Sequence, residues 1–274
     1  MSEPAPVRDD VVPQLIDEWA AIDALLSSLR PEDWRRPTPL PGWDVQDTVA
    51  HIIGTEAMLA GDEMPTVATD VKALSHVRND IAAANEVWVE SLRGTDPAAV
   101  LDRFRSVTSR RAAALAAMTQ DDFDAPSWTP VGKSTYGRFM QIRLFDCWLH
   151  EQDIRDAVDR PGHENGAAAE ASVDEIERAL GFVVGKRAAA PDGAAVTIEL
   201  TGPVTRHIHV VVDGRAQVVH ELDRPATTVL RLGSGLFVRL AGGRVDPAAH
   251  LAEIAMEGDV DLAGRLVDNL AFTI

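Results

Sequence analysis

The chain has 274 residues, 46% of them apolar and 25% charged, a globular composition of two-domain length that excludes disorder. Its formal net charge of −17, from 43 acidic against 26 basic side chains, excludes a phosphate-gripping nucleic-acid binder and disfavours anionic membrane surfaces. The single cysteine, Cys147, permits neither an intramolecular disulfide nor a cysteine metal cage.

From residue 9 to about 190 the apolar period is helical. Val12, Leu15, Ile16, Trp19, Ile22, Leu25, Leu26 and Leu29 recur every three or four positions, one face of an amphipathic helix with Pro13 in its first turn and Pro31 at its end. The proline-rich loop 37–43 (PTPLPGW) follows, and Asp44 is placed to cap a second helix reaching about Glu63. Helices are expected over 70–93 and 97–119, the latter closed by the acidic turn QDDFDAP. A loop carrying Trp128, Pro130 and Gly132 then leads into a helix at 135–158, and another spans 167–189.

After Pro191 the period changes. AAVTIEL, RHIHVVV, AQVVHEL and ATTVLRL are short, β-branched and separated by turn signals, with Asp213-Gly214 as a hairpin turn. A short helix at 233–241, a strand at 255–257 and a last helix over 259–270 complete the pattern. The fold class is therefore an all-helical up-down bundle over residues 1–190, followed over 191–274 by a small α+β domain with a mostly antiparallel sheet. MSEPAPVRDD lacks a positive region followed by an apolar stretch, and no apolar run approaches the ~20 residues that cross a bilayer, so the expected location is the cytoplasm.

The chemistry is concentrated in the helix at 135–158. Arg143, Asp146, His150 and Asp153 are spaced by three, four and three residues and share one face. Asp146 and His150, at i and i+4, can direct a carboxylate and an imidazole at one ion, as ligand helices of bundle metal proteins do. His51, on another helix between Asp47 and Thr55, is the candidate third ligand. On the residues alone, the same stripe also fits a solvated helix face laced by ion pairs, and His51 an ordinary packed histidine.

PTPLPGWDVQDTVAHIIGTE (37–56), followed some ninety residues later by RLFDCWLHEQDIRDA (143–157), resembles the mycothiol-dependent maleylpyruvate isomerase family, within the DinB-like superfamily of metal-binding helical bundles. AGGR (241–244) and EGDVDLAGRLV (257–267) resemble the sterol-carrier-protein-type α+β domain that often follows it. The resemblance spans nearly the whole chain. It implies that His51, Asp146 and His150 are ligands of a divalent metal, zinc foremost, with Asp146 standing where the family pattern has glutamate. Asp153 or Asp47 would then orient a ligand imidazole through its distal N–H.

Two histidines and one carboxylate leave a fourth position open, the catalytic arrangement, and a thiol bound there is deprotonated. Cys147 points about 100° around the helix from Asp146, so the thiol comes from a cofactor, which the resemblance implies is mycothiol. The expected function is a metal-dependent isomerase or S-transferase acting on a small electrophilic substrate, with small-molecule partners and neither nucleic acid nor membrane. The alternative is a non-enzymatic binding protein with a structural metal and an apolar-ligand groove in the C-terminal domain. Arg143 is a candidate either to hold a substrate carboxylate or to pair with Asp146 or Asp153, and Arg239 and Arg244 are further candidates by the resemblance alone. Trp43 is a candidate either to line the pocket or to anchor its loop by packing. A two-residue turn at Asp213-Gly214 would also set His207 opposite His220 with His209 on the same face, either a rival metal cluster or the wet face of a half-buried sheet.

Overall fold

Residues 5–273 are described in a computed structural model. It divides into two compact units, the first ending at Gly162 and the second beginning at His163.

The first unit is helical. Helix α1 (Arg8–Ser27) starts a turn earlier than its proline suggests, so that Pro13 lies inside it. A 3-10 turn at Pro31–Arg35 precedes the proline-rich loop, and α2 (Val45–Leu59) follows. Asp44 caps α2 by accepting from the Asp47 amide, and the Asp47 carboxylate accepts in return from the Asp44 amide, a reciprocal capping box. Then come α3 (Asp80–Leu92), α4 (Pro97–Ala117) and the short α5 (Gln120–Asp124). The strands β1 (Pro126–Thr129) and β2 (Gly132–Thr135) form a hairpin, and α6 (Tyr136–Ala157) is the longest helix of the unit. Helix α1 packs on α4 and α6, and α2 packs on α3, α4 and α6. The shared core includes Leu15, Ile22, Leu26, Ile52, Ile53, Phe104, Leu115 and Leu144.

Two expectations change here. The helix predicted from residue 70 starts at Asp80, where Asn79 caps it by accepting from the Ala82 amide; the residues before it form only a 3-10 turn at Val71–Ala73. The loop around Trp128 and Gly132 is a hairpin, pairing Trp128 with Lys133 and Thr129 with Gly132. Gly54 permits the close approach of α2 and α3, since a Cβ there would stand 2.4 Å from Cβ and Cγ of Trp88.

The second unit opens with α7 (Ala167–Phe182), which runs on into a π turn at Val183–Arg187. The strands β3 (Ala195–Thr201), β4 (Arg206–Asp213), β5 (Arg215–Val219) and β6 (Thr228–Gly233) follow. After them come α8 (Ser234–Ala241), α9 (Pro247–His250), β7 (Ala255–Gly258) and α10 (Val260–Asp268). The sheet order is β5-β4-β3-β6-β7, antiparallel except for the parallel pair β3 and β6. Val196, Ile198, Ile208, Val210, Leu230 and Leu232 share its buried face. Helices α7, α8 and α10 of this unit pack on the sheet.

The predicted boundary near residue 190 moves to Gly162/His163, because α7 is a sheet-packing helix and not a bundle helix. Its Gly181 and the following Gly185 approach Ala216 of β5, and its Glu170 and Asp174 pair with Arg206 of β4. Its apolar stripe has the same period either way, so nothing in the sequence tells which partner it packs on. No helix among the described residues is long and apolar enough to cross a membrane.

Candidate metal centre

The capping box fixes the start of α2 and carries His51 into its second turn, facing inward and 6% exposed. Thr135 caps α6 by accepting from the Arg138 amide. One helical turn then separates Asp146 from His150 on the face that meets α2.

These side chains converge. His51 Nε2 lies 3.3 Å from Asp146 Oδ2, and His150 Nε2 lies 3.5 Å from Asp146 Oδ1. The two imidazoles meet edge-on with centroids 4.8 Å apart. His51, Asp146 and His150 each bring a donor atom within 4.8 Å of the others, a spacing one ion can bridge.

The surroundings prepare these groups differently. His150 Nδ1 lies 2.9 Å from Asp153 Oδ2, which holds the Nδ1–H toward that carboxylate and turns Nε2 toward Asp146. Asp153 thus occupies the orienting place expected for it. Asp47 does not: besides capping α2, it accepts from Arg93 Nε at 3.1 Å. Burial works to raise the Asp146 pKa, but the charges of Arg143 and His150 outweigh it and hold the carboxyl well below its ordinary range. For His51 burial prevails and lowers the pKa, favouring the neutral imidazole that binds metal. For His150 burial is outweighed by Asp146 and Asp153, and its pKa is raised.

Arg143 is not available to a substrate. It is buried, donates to Asp146 Oδ2 at 2.5 Å and to Glu56 Oε1 at 2.9 Å, and so tethers the carboxylate through the oxygen that also faces His51. Glu56 in turn accepts from Arg111 at 3.0 Å, and Arg111 donates to the Tyr136 hydroxyl at 2.8 Å. In the second unit Arg239 pairs with Glu164 at 2.9 Å, and Arg244 donates to the Gly242 carbonyl. Cys147 is fully buried, in keeping with its expected place off the ligand face.

Trp43 stands beside both imidazoles, its ring centroid 5.4 Å from that of His51 and 6.4 Å from that of His150. Glu86 on α3, which the sequence did not single out, accepts from Trp43 Nε1 at 2.8 Å. The same buried carboxylate meets His76 Nε2 at 3.0 Å and Arg93 Nη2 at 2.9 Å. Its only sequence signal is a glutamate amid the alanines and valines of an amphipathic helix, which does not identify a partner.

The rival histidine cluster does not assemble. Asp213 pairs with Arg215 and His209 with Val219, so the turn centres on Gly214 (φ 64°) and the register is one residue off the expected one. A one-residue slip reverses the face of every side chain on the strand. His220 falls outside β5 with its side chain exposed. His207 and His209 lie opposite Glu199 and Thr197, on the face where Arg231 pairs with Glu199 at 2.6 Å, the wet-face alternative.

Comparison with known proteins agrees with this architecture. Residues 15–155 match the mycothiol maleylpyruvate isomerase N-terminal domain, and residues 170–265 match the C-terminal domain described with it, MDMPI C-terminal domain. Two uncharacterized proteins of Mycobacterium tuberculosis, from strains CDC 1551 and H37Rv, are each 25% identical over 209 residues, covering 74% of this chain and 76% of their own. Among solved structures, a mycothiol-dependent maleylpyruvate isomerase aligns with a TM-score of 0.59 at 15% identity, over 92% of this chain and 93% of that one. A mutant of the same enzyme aligns at 0.56. At that identity the structural likeness speaks for the fold alone, whereas the N-terminal match covers more than half of the sequence: the chain belongs to the mycothiol maleylpyruvate isomerase family.

Proposed function

We propose that this protein is a metal- and thiol-dependent enzyme, an isomerase or S-transferase acting on a small electrophilic substrate, with His51, Asp146 and His150 as its metal ligands. The observation that carries the reading is the convergence of those three donors from two helices, with the carboxylate tethered by Arg143 and one imidazole oriented by Asp153. Two imidazole nitrogens and one carboxylate oxygen are the donor set of an open zinc site. The orienting carboxylate on His150 is the companion that such ligands have. Zinc is therefore the metal we assign, and mycothiol, from the family's own description, the thiol cosubstrate.

When bound, such an ion supplies a Lewis-acidic position at which a thiol is held deprotonated at neutral pH. The chain's own residues set the stage for it. His51 is kept neutral by burial, so no proton need leave it before it binds. Asp146 is held ionised by Arg143, which engages Oδ2. Asp153 keeps the Nδ1 proton of His150 in place. Cys147 supplies no competing thiolate, since burial raises its pKa far above neutrality.

The test is metal content by elemental mass spectrometry on tag-free protein, beside the His51→Ala, His150→Ala double variant. About one ion per chain is expected in the wild type, lost in the variant with the helical signal retained. Adding mycothiol to the cobalt-substituted protein should change its visible spectrum. A wild type that stays metal-free after incubation with zinc, nickel and manganese would overturn the reading.

A further inference from the structure

The two ligand imidazoles are not held in the same way. His150 has Asp153 behind it, 2.9 Å from Nδ1. The buried Nδ1 of His51 has no hydrogen-bond partner among the described residues. What His51 has instead is the indole of Trp43, tilted 35° to its ring with centroids 5.4 Å apart. That indole is itself fixed, because Nε1–H donates to Glu86 at 2.8 Å. Glu86 is fully buried, and Arg93 and His76 engage the same carboxylate. Gly42, next to Trp43, has φ +82°, and a Cβ there would stand 2.8 Å from His76 Nδ1, so the loop before α2 lies against the residue that shares its anchor.

We infer that Glu86 is a positioning residue for the metal centre, acting through Trp43 to set the orientation of the His51 ring. The device does for His51 by packing what Asp153 does for His150 by hydrogen bonding. An imidazole with no distal partner can turn about its side-chain bonds, and each wrong orientation lowers the fraction of molecules ready to bind. An aromatic ring fixed at one end restricts that motion without needing an acceptor. The inference rests on the metal reading above for its consequence, but the positioning itself is a property of the metal-free protein.

The experiment uses the full-length chain and two measurements. The first is the ring carbon-bound proton signals of His51 and His150 in metal-free protein, assigned with the His51→Ala and His150→Ala variants. The second is cobalt affinity by competition with a chromophoric chelator, together with the cobalt visible spectrum. Glu86→Ala leaves the indole present but unanchored. It should shift and broaden the His51 signals more than those of His150, alter the cobalt spectrum, and raise the cobalt dissociation constant by about 10–100-fold, the range for losing a ligand's orienting partner. Asp153→Asn should show the mirror pattern, centred on His150.

Should Glu86→Ala fail to fold, Trp43→Phe keeps an aromatic ring and deletes the N–H that Glu86 holds; it should raise the same constant, and Trp43→Ala should raise it further. An unchanged cobalt affinity and spectrum in Trp43→Ala would overturn the inference. A wild type that takes no cobalt would sink the metal reading alone. Positioning would then be decided by the His51 signals, which overturn it if they are unmoved in Glu86→Ala, or in Trp43→Phe where Glu86→Ala is unfolded.

Discussion

Glu56 and Arg143 form an ion pair inside the bundle: Arg143 Nε–H donates to Glu56 Oε1 at 2.9 Å, and both side chains are buried. Arg111, also buried, takes the other carboxylate oxygen at 3.0 Å. One carboxylate thus compensates two guanidiniums, and Arg143 has a further anion in Asp146. A buried charge stripped of its partner costs far more than an exposed one, because neither water nor a counter-charge replaces what was removed. Glu56→Ala is therefore expected to cost about 3–5 kcal/mol in denaturant unfolding and to weaken metal binding by loosening Arg143. A loss under about 1 kcal/mol, the range of exposed pairs, would show that the network is hydrated and its geometry incidental.

The contact of α2 with α3 makes a second prediction. In an exposed helix, Gly→Ala stabilises by about 1 kcal/mol. At Gly54 a new Cβ meets Cβ and Cγ of Trp88 at 2.4 Å, atoms close to the backbone that cannot swing aside. Overpacking of this kind costs about 1–3 kcal/mol, so Gly54→Ala should lower the urea midpoint and change the near-ultraviolet signal of Trp88. A raised midpoint would mean that α2 and α3 separate freely, and that α3 does not hold Glu86 in a fixed place relative to the metal centre.

The convergence of His51, Asp146 and His150 was partly legible because a helix turns spacing into direction. Asp146, His150 and Asp153, at intervals of four and three, had to share a face, and Asp44 before an apolar run announced where the His51 helix begins. The Glu86–Trp43 anchor was not legible. It joins a proline-rich loop to a helix some forty residues on, and no periodicity links them. Arg143 was visible as part of the stripe, but its commitment to Glu56 depends on how α2 and α6 face one another. In the sheet unit the strands were readable from β-branched runs. The hairpin register was not, since a turn centred on Gly214 and a two-residue Asp213-Gly214 turn draw on the same residues. The helix α7 was found and assigned to the wrong partner, because amphipathicity marks a buried face without saying what buries it.

Glu18, on α1, gives a prediction in pH. It is buried, and its carboxyl pKa is raised well above the ordinary value, first by that burial and then by the neighbouring Glu151 carboxylate; Arg155, which is paired with Glu151, opposes the shift without cancelling it. A carboxyl whose folded pKa exceeds its unfolded value holds its proton more tightly in the folded state. Its contribution to stability is full below the unfolded value, about 4.3, and is lost as the pH rises through the raised folded value. Glu18→Gln keeps the shape and removes the titration. The variant is expected to flatten the decline in stability between those two values, read from urea midpoints across a pH series. Midpoints that run parallel to the wild type at every pH would show that Glu18 does not carry the slope.

Cys147 gives the sharpest separation between a cofactor thiol and a residue of the chain. It adjoins Asp146 in sequence, yet its side chain is fully buried, with Arg143 Nη2 at 3.4 Å from its sulfur. Burial raises its pKa and the Arg143 charge lowers it; burial wins, so almost no thiolate exists at neutral pH. A disulfide reagent should leave the native protein unmodified over minutes and titrate one thiol per chain once it is unfolded. On the proposed function, Cys147→Ala should retain bound metal and mycothiol-dependent turnover, because that reading draws the reacting thiol from solution. If the variant instead kept its metal and lost turnover, the nucleophile would belong to the chain, and α6 would have to rotate or unwind locally to present it.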